Sequence, residues 1–271
     1  MQLHHFAAGT DLGNARDNNE DTYVCIGEHG LWIVADGMGG LGDGEAASAI
    51  TAYTLVTMIK EGHGVNQAIE TAHQKIKEYA LVDAEGTNMG TTLVLLLSQG
   101  SVYNVFWVGD SRGYLFDGTL TQITRDHSLL QSLVDKGELT AEEAEVDPRK
   151  NAITKALGVQ QLDTVRADSI SEKWKPGQKI LLCSDGLSDY VNDEEITQIL
   201  QAEGSDQDKV DNLIDKALVA GGRDNITVVL VEAPASVTRA DSDTEVPDEA
   251  GDDNDEEDRD DSVTRVMDKN R

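Results

Sequence analysis

Basic residues are scarce. The 271-residue chain carries 22 Lys and Arg against 51 Asp and Glu, a net charge of −29. That balance excludes the electrostatic footprint of a nucleic-acid or anionic-membrane binder, because both partners are polyanions. Cysteine is rare too. Cys25 and Cys183 each sit inside an apolar, strand-like run (22–26 and 180–183) and read as buried reduced thiols rather than a disulfide. Long hydrophobic runs are missing: none exceeds the five residues of 93–97, far short of the ~20 residues of a membrane helix. Residues 1–6 lack the basic and apolar regions of a secretory leader. A soluble, cytoplasmic protein is expected. Histidines offer no zinc site. His4, His5, His29, His63, His73 and His127 show neither HExxH nor paired ligand spacing and read mostly as surface residues.

The apolar share is 39%, below the usual ~45–50%, and the deficit is uneven. Residues 235–271 hold 14 acids against 5 bases and almost no large apolar side chain. Such a stretch cannot bury enough surface to offset its ordering entropy and is expected to be a disordered acidic tail. The remaining residues, 1–234, form one domain with enough chain for a sizeable core. Within the tail, Ser236-Val-Thr-Arg239 recurs as Ser262-Val-Thr-Arg265, and Thr238 has Asp241 at +3.

Along the domain, short strands are expected over 1–35 and helices over 45–59 and 65–82. A hairpin follows from 91–97 and 102–108, then a strand at 114–116. Residues 126–158 are charged and helix-prone and read as an insertion beside a sheet. A strand at 179–183, helices at 193–202 and 206–219, and a strand at 225–231 complete the order. This is not the regular alternation of a parallel-sheet protein. It points to α+β, with helices covering mainly antiparallel sheets.

Acids stand at the ends of the apolar runs. Asp36 follows Trp32-Ile-Val-Ala, Asp110 follows Phe106-Trp-Val-Gly, and Asp185 follows Leu181-Leu-Cys-Ser. Asp224 precedes Asn225-Ile-Thr-Val-Val, and Glu20-Asp21 lead into Thr22-Tyr-Val-Cys. A strand end holds a carboxylate rigidly at the rim of a sheet. One such acid is ordinarily a turn residue or helix cap, but five positions are not easily explained that way. Crowded carboxylates repel and raise each other's pKa. A divalent cation cancels the repulsion, and all-oxygen ligation selects a hard ion, Mg²⁺ or Mn²⁺, over zinc.

The cluster Gly37-Met-Gly39-Gly40-Leu-Gly42 literally matches GxGxxG, after a strand and before a helix. Two features oppose a dinucleotide site. The next helix leads into another helix rather than a second parallel strand ending in an acid, and Asp36 would face the pyrophosphate with like charge. The remaining reading is a turn that lets the backbone approach a ligand closely, with the Gly37 carbonyl available to a metal.

Six motifs then occur in order: Arg16-Asp-Asn-Asn-Glu20-Asp21, Asp36-Gly-Met-Gly-Gly40, Gly90-Thr-Thr92, Gly109-Asp-Ser-Arg112-Gly, Ser184-Asp-Gly186 and Gly222-Arg-Asp224-Asn225. Together they resemble the bacterial metal-dependent serine/threonine protein phosphatases, the PPM or type 2C family, over about residues 5–232. The resemblance implies a four-layer α-β-β-α sandwich with two central antiparallel sheets, a flap at about 126–165, and hydrolysis of phosphoserine and phosphothreonine by a water shared between two metals. By motif, Asp36 would bridge both ions, Asp185 and Asp224 would hold the first, and Gly37, Glu20 and Asp21 would serve the second. Asp110 with Asp185 would take a third ion in the bacterial manner, so the expected cofactors are two or three Mn²⁺ or Mg²⁺. Arg16 would bind the substrate phosphate, its planar fork matching phosphate oxygens. The expected partners are phosphorylated proteins and a cognate Ser/Thr kinase, with a forkhead-associated protein recruited through phosphorylated Thr238.

There are departures from the family pattern. Met38 stands where many eukaryotic members have a histidine, which leaves the proton donor unassigned. Asp147-Pro148-Arg149-Lys150-Asn151 stands where bacterial relatives have His-Pro-x-Arg-Asn. Two other functions compete: a metal-dependent phosphatase of small phosphorylated metabolites, and an inactive phosphopeptide-binding relative.

Overall fold

The computed structural model describes residues 4–39, 43–82, 88–145, 147–235 and 237. Residues 40–42 of the glycine cluster, Thr238 and the acidic stretch beyond it lie outside the described residues. Eleven strands are described: β1 (Phe6–Asp11), β2 (Asp21–Ile26), β3 (Leu31–Met38), β4 (Gly90–Thr91), β5 (Leu93–Gln99), β6 (Val102–Val108), β7 (Arg112–Phe116), β8 (Leu120–Gln122), β9 (Asp168–Lys173), β10 (Lys179–Cys183) and β11 (Ile226–Glu232). One sheet has the order β1-β11-β10-β7-β8. The other has the order β2-β3-β5-β6-β9, with β4 beside β3. Every pairing is antiparallel, so the crossover that a GxGxxG dinucleotide site requires is absent from the described residues.

Alternation of side chains sets the layers. In β3, β5, β10 and β11 both faces are apolar, so both must be covered. Trp32, Val34, Val94, Leu96, Ile180 and Leu182 pack in the layer between the sheets. Their neighbours Leu31, Ile33, Leu93 and Leu95 turn outward onto the helices α1 (Asp43–Lys60) and α2 (Val65–Val82). On the other side Leu181, Cys183, Val228 and Leu230 pack with residues of α5 (Asp185–Ser188), α6 (Asp193–Gln201) and α7 (Asp206–Val219). The result is the α-β-β-α sandwich. The flap carries two short helices, α3 (Leu129–Asp135) and α4 (Ala141–Glu145).

Local chemistry agrees with these elements. In α2, Val65, Ala68, Ile69, Ala72, Ile76 and Ala80 recur at helical spacing and are buried. Capping boxes start α6 (Asn192 with Glu195) and α7 (Ser205 with Asp208). In α1 the buried residues before Leu55 are small, among them Gly44, Ala47, Ser48 and Thr51, which lets the helix lie close over β3. The described residues continue past Pro234: the Val237 N–H donates to the Pro234 carbonyl at 2.9 Å, and its side chain packs on the inter-sheet layer.

The histidines only partly match expectation. His5, His29 and His63 are exposed, but His4 and His73 are buried and His127 is half-buried. His73 is held by the main chain, its Nδ1 accepting from Gly158 N–H at 2.9 Å and its Nε2 lying 3.0 Å from the Leu162 carbonyl.

Candidate active site and metal centre

Antiparallel register places Asp21 directly opposite Asp36. Like charges facing each other on one sheet face are destabilising. Three more acids join them from other strand ends. Asp110 lies just beyond β6, Asp185 opens α5 after β10, and Asp224 stands two residues before β11. Burial pushes the Asp36 carboxyl well above the usual carboxylate range, and the charges of Asp21, Asp185, Asp110 and Asp224 add to it. Asp185 is raised in the same way, by burial and then by Asp110, Asp189, Asp224 and Asp21. Burial takes Asp21 up to about 6 against the opposing hydrogen bonds from Thr227 and Ser184. It takes Asp110 up to about 6 as well, with the Asp126 charge adding. The five expected aspartates therefore share one end of the sandwich and feel one another.

Their supports come from distant parts of the chain. Asp21 Oδ2 accepts from Ser184 Oγ at 2.8 Å and from Thr227 Oγ1 at 2.6 Å, tying one sheet to the other. Glu20 is buried, and its N–H donates to Asn225 Oδ1 at 2.8 Å. Asn225 Nδ2 in turn donates to the Leu12 and Asn18 carbonyls. Ser184 and Asn225 stand in the sequence motifs beside Asp185 and Asp224 but have no role assigned there, and Thr227, inside β11, is not singled out by the sequence. Gly37 is required by close approach: a Cβ there would lie 2.1 Å from the Gly44 carbonyl and 2.6 Å from the Glu20 carbonyl. Arg16 is exposed at the rim. Its Nη2 donates to Asp224 Oδ2 at 2.7 Å, and that bond raises the guanidinium pKa.

The donor set suits a hard divalent cation. Every candidate group is an oxygen. Asp21 Oδ1 is buried with no hydrogen-bond partner, an unsatisfied anion edge that a cation or its water would satisfy. Among the described residues no three His, Cys, Asp or Glu side chains stand close enough together to hold a metal ion by themselves. Ions of the Mg²⁺ type keep several waters and take only one or two carboxylates each, so a ring of separated acids fits them better than it fits zinc.

A cleft of about 800 Å³ runs from Asp110 and Asp185 between the flap and the α5–α6 loop, past Lys150, Asn151 and Tyr190. Lys150 Nζ bonds Asp189 Oδ2 at 2.8 Å, and Asp147 is paired with Arg149 at 2.7 Å. Neither cysteine offers a thiolate. Both are free, and burial pushes each thiol up to about 12.

The family model for protein phosphatase 2C matches residues 9–218. The chain belongs to the protein phosphatase 2C family. It is 38% identical over 242 residues to the serine/threonine phosphatase stp of Listeria welshimeri, covering 84% of this chain and 95% of that one. It is also 38% identical over 234 residues to the serine/threonine protein phosphatase PstP of Mycobacterium tuberculosis, covering 84% of this chain but only 44% of PstP. The chain thus spans less than half the length of that relative. A solved catalytic domain of PstP in complex with two manganese ions superposes with a TM-score of 0.76 at 36% identity, covering 86% of this chain and 99% of that one. Its two-sheet sandwich is the family's fold. Among the described residues no helix is long and apolar enough to cross a membrane.

Proposed function

We propose that this chain hydrolyses phosphoserine and phosphothreonine in proteins with two or three divalent cations, Mn²⁺ or Mg²⁺, and so opposes a Ser/Thr kinase in the cytoplasm. The observation that carries the reading is the opposed pair Asp21 and Asp36, crowded by Asp110, Asp185 and Asp224. Asp36 would serve both principal ions. Asp185 and Asp224 would hold one, the Gly37 carbonyl with Glu20 and Asp21 the other, and Asp110 with Asp185 an additional one. Bound there, such ions supply a water acidified toward neutral pH and neutralise charge on the phosphoryl oxygens.

The chain's own residues do the rest. Ser184 and Thr227 hold Asp21, and Asn225 holds the Glu20 segment. Arg16 offers its fork to the phosphate at the rim, with Asp224 keeping it in place. Burial of Cys183 and half-burial of Cys25, which push both thiols up, disfavour a phosphocysteine route. Met38 has no ionisable group, so it cannot protonate the leaving alcohol.

The relatives named as serine/threonine phosphatases support phosphoproteins over small esters. The discriminating experiment compares phosphothreonine peptides with a panel of phosphorylated metabolites. A higher kcat/KM for the peptides is expected. Preference for one metabolite would replace the reading, and peptide binding without turnover would indicate the inactive relative. Thr238, once phosphorylated, would suit a forkhead-associated domain. Equal affinity of such domains for a phosphorylated and an unphosphorylated Thr238 peptide would contradict that.

A further inference from the structure

The turn that presents Asp110 is held from both sides. On the inner side Ser111 Oγ lies 2.6 Å from Thr92 Oγ1, and the Thr92 N–H donates to the Asp36 carbonyl at 2.9 Å. On the outer side the turn meets His127, flanked by the Trp107 Nε1 bond to the Arg125 carbonyl at 2.9 Å and the Arg112–Asp126 pair at 2.7 Å. The His127 main-chain N–H donates to the Gly109 carbonyl at 2.9 Å. Its ring Nδ1 accepts from the Gly109 N–H at 3.0 Å. Gly109 has φ of +103°, and a Cβ there would meet the Thr92 side chain at 2.6 Å, so this position has no side chain of its own to brace it.

The same histidine closes the base of the flap. Its carbonyl accepts from Thr154 twice, from the N–H at 2.7 Å and from Oγ1 at 2.9 Å. Beyond it the two legs of the flap are joined by the Ser128–Ile153 bridge and by the Leu129 N–H donating to the Ala152 carbonyl at 2.8 Å. His127 Nε2 faces Asp168 Oδ2 at 3.5 Å, and Asp168 also takes Lys155 at 3.0 Å. An N–H aimed at Nδ1 requires that nitrogen bare, which puts the ring proton on Nε2, toward Asp168.

We propose that His127 is the positioning residue that couples the Asp110 turn to the base of the flap: its imidazole acceptor fixes Gly109, and with it the placement of an ion at Asp110, and the same bond holds in place the main-chain carbonyl that seats the flap through Thr154. The metal half of this rests on Asp110 serving as a ligand, as proposed above. The mechanical half does not.

The test uses the full chain and four variants. Hydrogen exchange on metal-stripped protein reads the mechanical half. In His127→Ala, amides across 109–112 and 126–130 should lose protection together. In His127→Asn, whose Oδ1 sits where Nδ1 does but which cannot reach Asp168, protection should return. His127→Gln displaces the acceptor by one bond and should fall between them, which keeps the comparison open if the alanine variant does not fold. Mn²⁺ binding, followed by paramagnetic resonance, reads the metal half. The weakest ion should lose about tenfold or more in affinity in His127→Ala, the usual scale for a group that orients a ligand, and should recover in His127→Asn. Asp110→Ala is the control. If it leaves Mn²⁺ binding unchanged, Asp110 is not a ligand, and the exchange data still decide the role of His127. Unchanged exchange at 109–112 in His127→Ala, or a His127→Asn variant as loose as the alanine one, overturns the proposal.

Discussion

At the scale of single residues, the site stores a repulsion that the fold alone does not relieve. A carboxyl whose folded-state pKa is raised costs nothing below about pH 4, where it is protonated folded or unfolded. Its cost grows as pH climbs toward the folded value and is complete above it. Asp36 is such a group, and burial is the main cause. Asp36→Asn is therefore expected to raise the melting temperature of the metal-stripped protein at pH 7 and to change it little near pH 4. Scanning calorimetry in EDTA across that range checks this; a variant less stable than the parent at pH 7 would contradict it. Arg16 carries a different expectation. Among the described residues its one ion pair is with Asp224, and it is exposed, so Arg16→Ala should leave stability nearly unchanged. Loss of its charge-assisted bonds to phosphate should raise the KM for a phosphopeptide by about tenfold or more. Steady-state kinetics with Arg16→Lys alongside would show whether the planar fork or only the charge matters. The acids were legible in the sequence because each ends an apolar run. Ser184, Thr227 and His127 were not, because their partners lie 163, 206 and 18 residues away.

At the scale of elements, legibility followed burial. The α2 and α7 boundaries emerge as expected, because amphipathic spacing or a cap marks each end. The 102–108 strand pairs with its hairpin partner in register. By contrast β9, Asp-Ser-Ile-Ser-Glu-Lys, is an edge strand with only Ile170 packed inward. Without an apolar face it gives no period to read. Likewise β4 is two residues long and exists to carry Thr91 and its neighbour Thr92 against Asp36. Two element-level expectations follow. Ser205→Ala removes the α7 cap and should cost about 1 kcal/mol, or about 2–4 °C in melting temperature, with activity unchanged. Gly37→Ala should cost about 1–3 kcal/mol from overpacking and also disturb the metal site, since its Cβ would press on the Gly44 and Glu20 carbonyls. Thermal melts with and without Mn²⁺ separate the two effects.

At the scale of the whole molecule, two sheets with apolar inner faces make a rigid wall, and the acids of both meet at one end of it. A net charge of −29 makes this end hospitable to cations and costly to leave bare. Ion binding should accordingly stabilise the whole fold, by about 2.7 kcal/mol at a hundredfold excess over Kd, and the gain should vanish in Asp36→Asn. The measurement that tests the central claim most directly is phosphate release from a phosphothreonine peptide by the purified chain, with Mn²⁺, with Mg²⁺ and with EDTA, beside Asp36→Asn. Release that requires an added ion and disappears in the variant is predicted. Undiminished release in EDTA, or from Asp36→Asn, would contradict the account.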